Sequence, residues 1–321
     1  MENLFRPDVS IVICTCRAGV GLPRLLDSLR RQSTSLHFEI IVVENGPEAG
    51  NIEPASGVRW ILERQPGLSH ARNIGILAAN APVVAFLDDD MEAPPNWLDD
   101  LAQPILHQGF DAVTGGTLPL KLETDAEILF EAYGGHGHSG EDRVYDASWL
   151  ARHHLMLPLW QAGGLGNSAL RRGVFDRTGY FDEALGAGTP AGSWEDLDMI
   201  YRMLSSGCRL LHRPSARVLH AHREEMSGLS RQLCAYRRGE VCFCLLVAKR
   251  HHDLRAISHL MLWIPYWRAT LLLRELGRRL QGKRLFRFDL MGREMLAYAS
   301  GPAALAASWR RATLQSLKEK R

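Results

Sequence analysis

An α/β fold built on a mostly parallel sheet is what the sequence predicts, and three observations predict it. Apolar runs of strand length alternate with helix-period stretches through the first hundred residues. The runs Val9–Cys14, Phe38–Val43 and Pro82–Leu87 are almost continuously hydrophobic, as strands covered by helices on both faces must be. Each run then opens into polar or acidic residues (Cys14–Arg17, Glu44–Gly46 and Asp88–Asp90), at the strand ends where such sheets bind ligands.

Taken in order, Val9-Ser-Ile-Val-Ile-Cys14 is the first strand. Leu22, Leu25, Leu26 and Leu29 fall at i, i+3, i+4 and i+7 and mark the first helix. Phe38-Glu-Ile-Ile-Val-Val43 is the second strand, closed by the turn residues Asn45-Gly46-Pro47. A short strand at Val58–Leu62 leads to a helix over about 69–80, with Ser69 placed to cap its start. Pro82–Leu87 follows as a strand, and Pro94-Pro95-Asn96 introduces a helix that runs to about His107.

The Gly-rich stretch 115–190 carries little periodic signal. Its segment Tyr133–Gly140 reads as a loop, in which His136 and His138 read as solvated rather than metal-binding. A helix starting near Ser193 places Leu197, Ile200, Tyr201 and Leu204 on one face and ends at Gly207. Arg209–His212 and Ala216–His220 read as two short strands.

From about Leu229 the pattern is helical, basic and aromatic, as in Met261-Leu-Trp-Ile-Pro-Tyr-Trp-Arg268. The apolar run from Leu260 to Leu273 is interrupted by Pro265 and Arg268, which makes it too short and too charged to span a bilayer. Interleaved Trp, Tyr, Arg and Leu suit a helix lying in a membrane interface, and equally a basic helical cap on the sheet. The chain thus divides into a catalytic-looking region, 1–223, and a basic helical region, 224–321.

Charge sharpens that division. Residues 1–222 carry 18 Lys+Arg and 28 Asp+Glu, whereas residues 223–321 carry 20 and 8, a balance of −10 against +12. Such a tail is expected to meet an anionic surface. No recognisable nucleic-acid module accompanies it, so no nucleic-acid partner is expected. The six cysteines show no CxxC spacing, and Met1–Pro7 lacks the apolar segment of a cleavable signal. Reduced thiols in a cytoplasmic protein are the expectation, peripheral on the inner face of the membrane if the tail binds lipid.

The most telling segment is Ala81-Pro-Val-Val-Ala-Phe-Leu-Asp-Asp-Asp90, a buried strand that runs into three carboxylates. Asp88 and Asp90 are two apart and would share a side if the extended backbone continued. Clustered acids repel one another and are tolerated where a cation sits. Mg²⁺ and Mn²⁺ need only one or two carboxylates alongside substrate phosphates. A solvated acidic turn is the plainer alternative.

Several ordered blocks resemble glycosyltransferase family 2 over about residues 8–223. They are Val9–Arg17, Glu44-Asn-Gly46, Gly67-Leu-Ser-His-Ala-Arg-Asn-Ile-Gly75 and Phe86-Leu-Asp-Asp-Asp90. Then come Gly163–Arg172, Gly179-Tyr-Phe-Asp-Glu183, Glu195-Asp-Leu-Asp198 and Val218-Leu-His-Ala-His-Arg223. The resemblance implies a GT-A fold and a metal-dependent, inverting transfer of a sugar from a nucleoside-diphosphate donor to an acceptor hydroxyl. UDP-, GDP- and dTDP-sugars are all open as donors, and Mn²⁺ or Mg²⁺ as the metal.

By resemblance, Asp90 is the direct metal ligand, and Asp88 contacts the donor ribose or the metal shell, with Asp89 beside them. Glu44 takes a position that usually holds an aspartate touching the nucleotide base; here the acid is one methylene longer. Arg72 corresponds to a residue that supports the nucleotide or diphosphate, and Thr15 and Arg17 lie in the loop that cradles the nucleoside. Asp196 corresponds to the general base, since an attacking hydroxyl must lose its proton. His220 or His222 corresponds to a histidine that completes the metal shell, and Asn167, Trp194 and Glu195 fall on the sugar or acceptor side.

Two other readings stand beside this one. A non-catalytic sugar-nucleotide binder would have no reason to keep Asp88, Asp90 and Asp196 together. A nucleotidyltransferase would show a basic, Gly-rich phosphate loop, and Cys14–Gly21 has one basic residue. The tail further suggests an acceptor that is lipid-linked or handled at the membrane, in cell-surface glycan or secondary-metabolite synthesis.

Overall fold

The structure is a computed structural model, and it describes residues 6–16, 21–135, 140–281 and 287–319. Among the described residues the strands are β1 (Val9–Thr15), β2 (Phe38–Asn45), β3 (Arg59–Glu63), β4 (Val83–Asp88), β5 (Met91–Glu92), β6 (Ala112–Pro119), β7 (Arg143–Tyr145), β8 (Asn167–Arg171) and β9 (Leu210–His220). The helices are α1 (Gly21–Arg30), α2 (Leu68–Ala78), α3 (Trp97–His107), α4 (Asp125–Ala132), α5 (Ala147–Ala151), α6 (Val174–Thr178), α7 (Glu195–Ser205), α8 (Met226–His251), α9 (Arg255–Ser258), α10 (Ile264–Leu280) and α11 (Phe288–Glu319).

The strands form one sheet in the order β3-β2-β1-β4-β8-β6-β9-β5, with β7 paired to β9. Strands β3, β2, β1 and β4 are parallel; β8 then runs antiparallel to both β4 and β6, while β9 returns parallel to β6. The chain leaves β1 toward β2 and β3 and comes back on its other side as β4. That reversal opens a crevice at the carboxyl ends of β1 and β4. Register aligns Thr15 with Glu44 and Cys14 with Asp88, so three of the expected site residues end neighbouring strands.

Hydrophobic layers cover both faces. Leu22, Leu25, Leu26 and Leu29 of α1 and Trp97, Leu98, Leu101 and Ile105 of α3 pack on Ile11, Ile13, Val83 and Leu87. Each such leucine removed from water is worth about 1.5–3 kcal/mol. The opposite face receives Ala71 and Ile76 of α2, Ile200 and Leu204 of α7, and Phe243, Cys244 and Val247 of α8. The basic C-terminal region therefore enters the main core through α8. Part of its charge is paired internally: Arg237 and Arg268 both donate to buried Glu294, and Arg279 donates to buried Glu275.

Three expectations need correction. The backbone does not stay extended after Asp88; Asp89 and Asp90 form a turn, and β5 follows. Ser69 is not the cap of α2: the cap is Gly67, and the Ser69 hydroxyl donates instead to the carbonyl of Leu185 at 2.8 Å. The two short strands after Arg209 are one, because β9 continues through Pro214 while the β6–β9 register shifts between Gly115 and Thr117. Strand β8 and the greater part of β6, neither of them foreseen, lie inside the stretch without periodic signal. They are held by neighbours distant in sequence rather than by local pattern.

Candidate active site

At the carboxyl end of the sheet the acidic turn meets the start of α7. Arg72, buried on α2, links the two: its guanidinium donates to Glu195 Oε1 at 2.8 Å and to Asp88 Oδ1 at 3.1 Å, over the Phe181 ring at 5.4 Å. Burial alone would lower the Arg72 pKa, but Asp88 and Glu195 hold it above its ordinary value. Asp88 is also fixed from behind, where its N–H bonds the Gly166 carbonyl at 3.1 Å. A Cβ at Gly166 would come within 2.2 Å of Asp88 Oδ2, so only glycine permits this approach.

Asp196, in the first turn of α7, is half-buried, with Oδ1 accepting from its neighbour Leu197 N at 2.8 Å. Burial raises its pKa, Arg72 opposes the rise, and Asp88 adds to it. Glu195 is pushed up to about 7 by burial and then by Asp196, against the pull of Arg72. Asp89 rises to about 6 through burial, opposed by a 2.5 Å hydrogen bond from the Thr15 hydroxyl. The same desolvation that stores this cost makes the carboxylates more basic and more responsive to an incoming cation.

Asp90 faces the opposite wall. Pairing of β5 with β9 sets Met91 against His220 and brings Asp90 Oδ1 to 3.3 Å from His220 Nε2. Arg223, well exposed, approaches Asp90 Oδ2 at 3.8 Å. His220 Nδ1 faces His222 Nδ1 at 2.9 Å, and His222 Nε2 meets Glu131 Oε1 at 2.7 Å. Burial lowers the His222 pKa, Glu131 opposing.

The remaining expected residues are placed differently. Glu44 is buried and already accepts from Gly50 N, Asn51 N and Trp60 Nε1. The Asn167 amide is bonded on both ends, to Trp97 Nε1 and to the carbonyls of Gly116 and Ala216, so it braces the sheet instead of facing a sugar. Trp194 also turns inward. It caps α7 in a left-handed conformation, φ 72°, and packs on Phe243 at 5.2 Å. Arg17, His136 and His138 lie outside the described residues.

Sequence reasoning missed Tyr236, Glu131 and Arg223. Tyr236, on α8, stands close enough to Asp196 and Asp88 for their charges to help raise its pKa to about 12, behind burial as the main cause. Only the position of Arg223 in its motif block could have signalled one of the three.

The donor set suits a hard divalent cation in part. Asp90 and His220 offer an oxygen and an imidazole nitrogen at 3.3 Å, close to the roughly 3 Å between adjacent ligands of an octahedral ion with 2.1 Å bonds. Among the described residues no three His, Cys, Asp or Glu side chains converge to hold an ion by themselves. Substrate phosphates and water would have to complete the shell.

The family model described as "Glycosyl transferase family 2" matches residues 10–156. A pre-mycofactocin glycosyltransferase of Mycobacterium tuberculosis is 28% identical over 225 residues, 68% of this chain and 44% of that relative. The uncharacterized glycosyltransferase YwdF of Bacillus subtilis is 26% identical over 72% of this chain and 80% of its own length. A validoxylamine A glucosyltransferase of Streptomyces hygroscopicus is 28% identical, across 63% and 52%. The matched part of this chain thus spans about half the length of the first and last of these relatives. A crystal structure of GalNAc-T7 with UDP, GalNAc and Mn²⁺ superposes with a TM-score of 0.48 at 20% identity, over 74% of this chain and 48% of that one. With its motif blocks in order and its site built at the carboxyl ends of the strands, this chain is similar to glycosyl transferase family 2 over residues 10–156.

Proposed function

We propose that the chain is an inverting glycosyltransferase that moves a sugar from a nucleoside-diphosphate donor to an acceptor hydroxyl, with Mn²⁺ or Mg²⁺. The observation that carries this reading is the gathering of Asp88, Asp196 and Glu195 around one buried Arg72. Acids gathered on one buried cation, with Glu195 and Asp196 raised above the ordinary carboxylate range by burial, can divide the work of binding a polar donor and accepting a proton.

In this reading Thr15 and Asp89 border the nucleoside, and Asp88, steered by Arg72 and Gly166, meets the ribose. Asp90 and His220 would hold the metal; when bound, it supplies Lewis-acid relief of the charge growing on the departing diphosphate. Arg223 adds a second positive charge at the same edge. Asp196 removes the acceptor proton as the hydroxyl attacks, and its raised pKa brings it nearer to the working pH than an ordinary aspartate. Glu195, tied to Arg72, fixes the start of α7 beside that base. The relatives named as glycosyltransferases support the reaction class.

Calorimetric titration of UDP, GDP and dTDP, with Mn²⁺ and with EDTA, tests the donor side. One nucleotide should bind, and more tightly with Mn²⁺. Binding of none under either condition would remove the reading.

We also propose that the acceptor is presented at an anionic membrane surface that the C-terminal region touches. Of the twenty exposed large apolar residues described, twelve fall between Leu254 and Leu296, among them Met261, Tyr266, Leu273 and Leu280. Arg274 and Arg278 are exposed on α10, the helix that carries Tyr266, Leu273 and Leu280. No described helix is long and apolar enough to cross a membrane, so any contact would be lateral. Co-sedimentation with anionic vesicles at low salt should be lost on Leu273→Glu with Leu280→Glu. Equal sedimentation of wild type and variant would refute this part.

A further inference from the structure

His220 and His222 face one another and cannot play the same role. The contact between their Nδ1 atoms, 2.9 Å, requires one N–H donor and one lone pair. His222 Nε2 lies 2.7 Å from Glu131 Oε1, and a carboxylate accepts, so that nitrogen carries the hydrogen. Where His220 Nε2 turns its lone pair to the ion, His220 carries its hydrogen on Nδ1, and His222 Nδ1 accepts it. The lone pair of His220 is left on Nε2, on the side of Asp90 Oδ1 at 3.3 Å. Two electron-rich atoms so placed attract a cation between them.

The far end of this chain of contacts is built to hold still. Glu131 sits near the end of α4, whose start is fixed by a capping box between Thr124 and Glu127. The Phe130 ring meets His222 edge-on at 4.8 Å. Gly135, at φ 52°, lies so close that a Cβ there would come within 2.6 Å of Glu131 Oε1.

We propose that Glu131 and His222 are positioning residues for the metal: together they lock His220 in the tautomer whose Nε2 lone pair stands beside Asp90. The proposal rests on the reading of Asp90 and His220 as the pair that would hold the ion. It assigns His222 a supporting place rather than a ligand's, and it gives Glu131, 91 residues distant in sequence, a share in metal affinity. Outer partners that orient a ligating histidine are typically worth 10–100-fold in metal affinity.

The test is Mn²⁺ binding to the full chain with UDP present, followed by electron paramagnetic resonance of the free ion. Glu131→Ala and His222→Phe should each weaken Mn²⁺ about 10–100-fold. Glu131→Gln, whose amide oxygen still accepts from His222 Nε2, should recover most of the loss. Metal-free thermal melting identifies any variant that fails to fold, and Glu131→Gln, nearly isosteric, keeps the test usable in that event. Unchanged Mn²⁺ affinity in folded Glu131→Ala and His222→Phe would overturn the proposal, and so would a Glu131→Gln variant as weak as Glu131→Ala. Wild-type protein that binds no Mn²⁺ would overturn the metal reading beneath it instead.

Discussion

Replacing Arg72 with methionine should cost this protein more than any other single change at the site. The side chain is 4% exposed and pairs with Glu195, itself 8% exposed, so the substitution strands a carboxylate where water cannot reach it. Removing one partner of a buried pair costs about 3–5 kcal/mol. Asp88 adds little, because its side chain is 38% exposed and solvent screens it. Glu195→Gln alone should cost only about 1–2 kcal/mol, since its amide oxygen can still accept from Arg72, which keeps Asp88. In the double variant no charge is stranded, so it should be more stable than the sum of the singles by about 2 kcal/mol. Urea unfolding of metal-free protein at pH 8, followed by tryptophan fluorescence, measures all four corners of this cycle. The sign with pH is fixed too. Glu195 is already raised to about 7 and would rise further without Arg72, so the Arg72→Met penalty should shrink as the pH falls and the stranded acid takes up a proton. An Arg72→Met protein within about 1 kcal/mol of wild type, or a cycle that closes additively, would refute the reasoning.

Three further outcomes follow from the same geometry. Asp89 binds its proton more tightly folded, at about 6, than unfolded, so its ionisation opposes folding increasingly from about pH 4 to 6. Asp89→Asn should therefore stabilise the metal-free protein by about 1–3 kcal/mol at pH 7.5 and not at pH 4; lower stability at pH 7.5 in thermal melts would contradict this. Gly166→Ala must displace Asp88, which a Cβ would approach to 2.2 Å, and should reduce donor turnover at least tenfold while the fold survives by circular dichroism. The acid limb of kcat/KM should lie above the ordinary aspartate range, because burial raises Asp196. Arg72→Met, which removes the cation opposing that rise, should shift the limb to higher pH, and a limb that stays in place would count against Asp196 as base.

The parallel half of the fold was legible because β1, β2 and β4 are buried on both faces and must be continuously apolar. The antiparallel half was not. β6 reads Ala-Val-Thr-Gly-Gly-Thr-Leu-Pro and β8 reads Asn-Ser-Ala-Leu-Arg, sequences whose strand character comes from partners fifty or more residues distant. The same contrast holds at the site. Asp88, Asp90, Arg72 and Asp196 lie in blocks whose order carries their signal. Their mutual geometry, and the turn that sends Asp90 to His220 rather than alongside Asp88, arises from the pairing of β5 with β9. Glu131 stands in an unremarkable helix, and only the folded chain carries it to His222. Asn167 lies in a block and Trp194 immediately before one, yet both face inward, because motif position specifies a place on the backbone and not the direction of its side chain.

If Asp90 and Asp196 serve metal-assisted sugar transfer, release of nucleoside diphosphate depends on both residues and on the ion. Wild type, Asp90→Ala and Asp196→Ala would be assayed on UDP-, GDP- and dTDP-sugars, with Mn²⁺, Mg²⁺ or EDTA. The wild type should show metal-dependent release from one donor class, and both variants should lose it. Release that persists undiminished in Asp196→Ala, or is indifferent to EDTA and to Asp90→Ala, would contradict these roles.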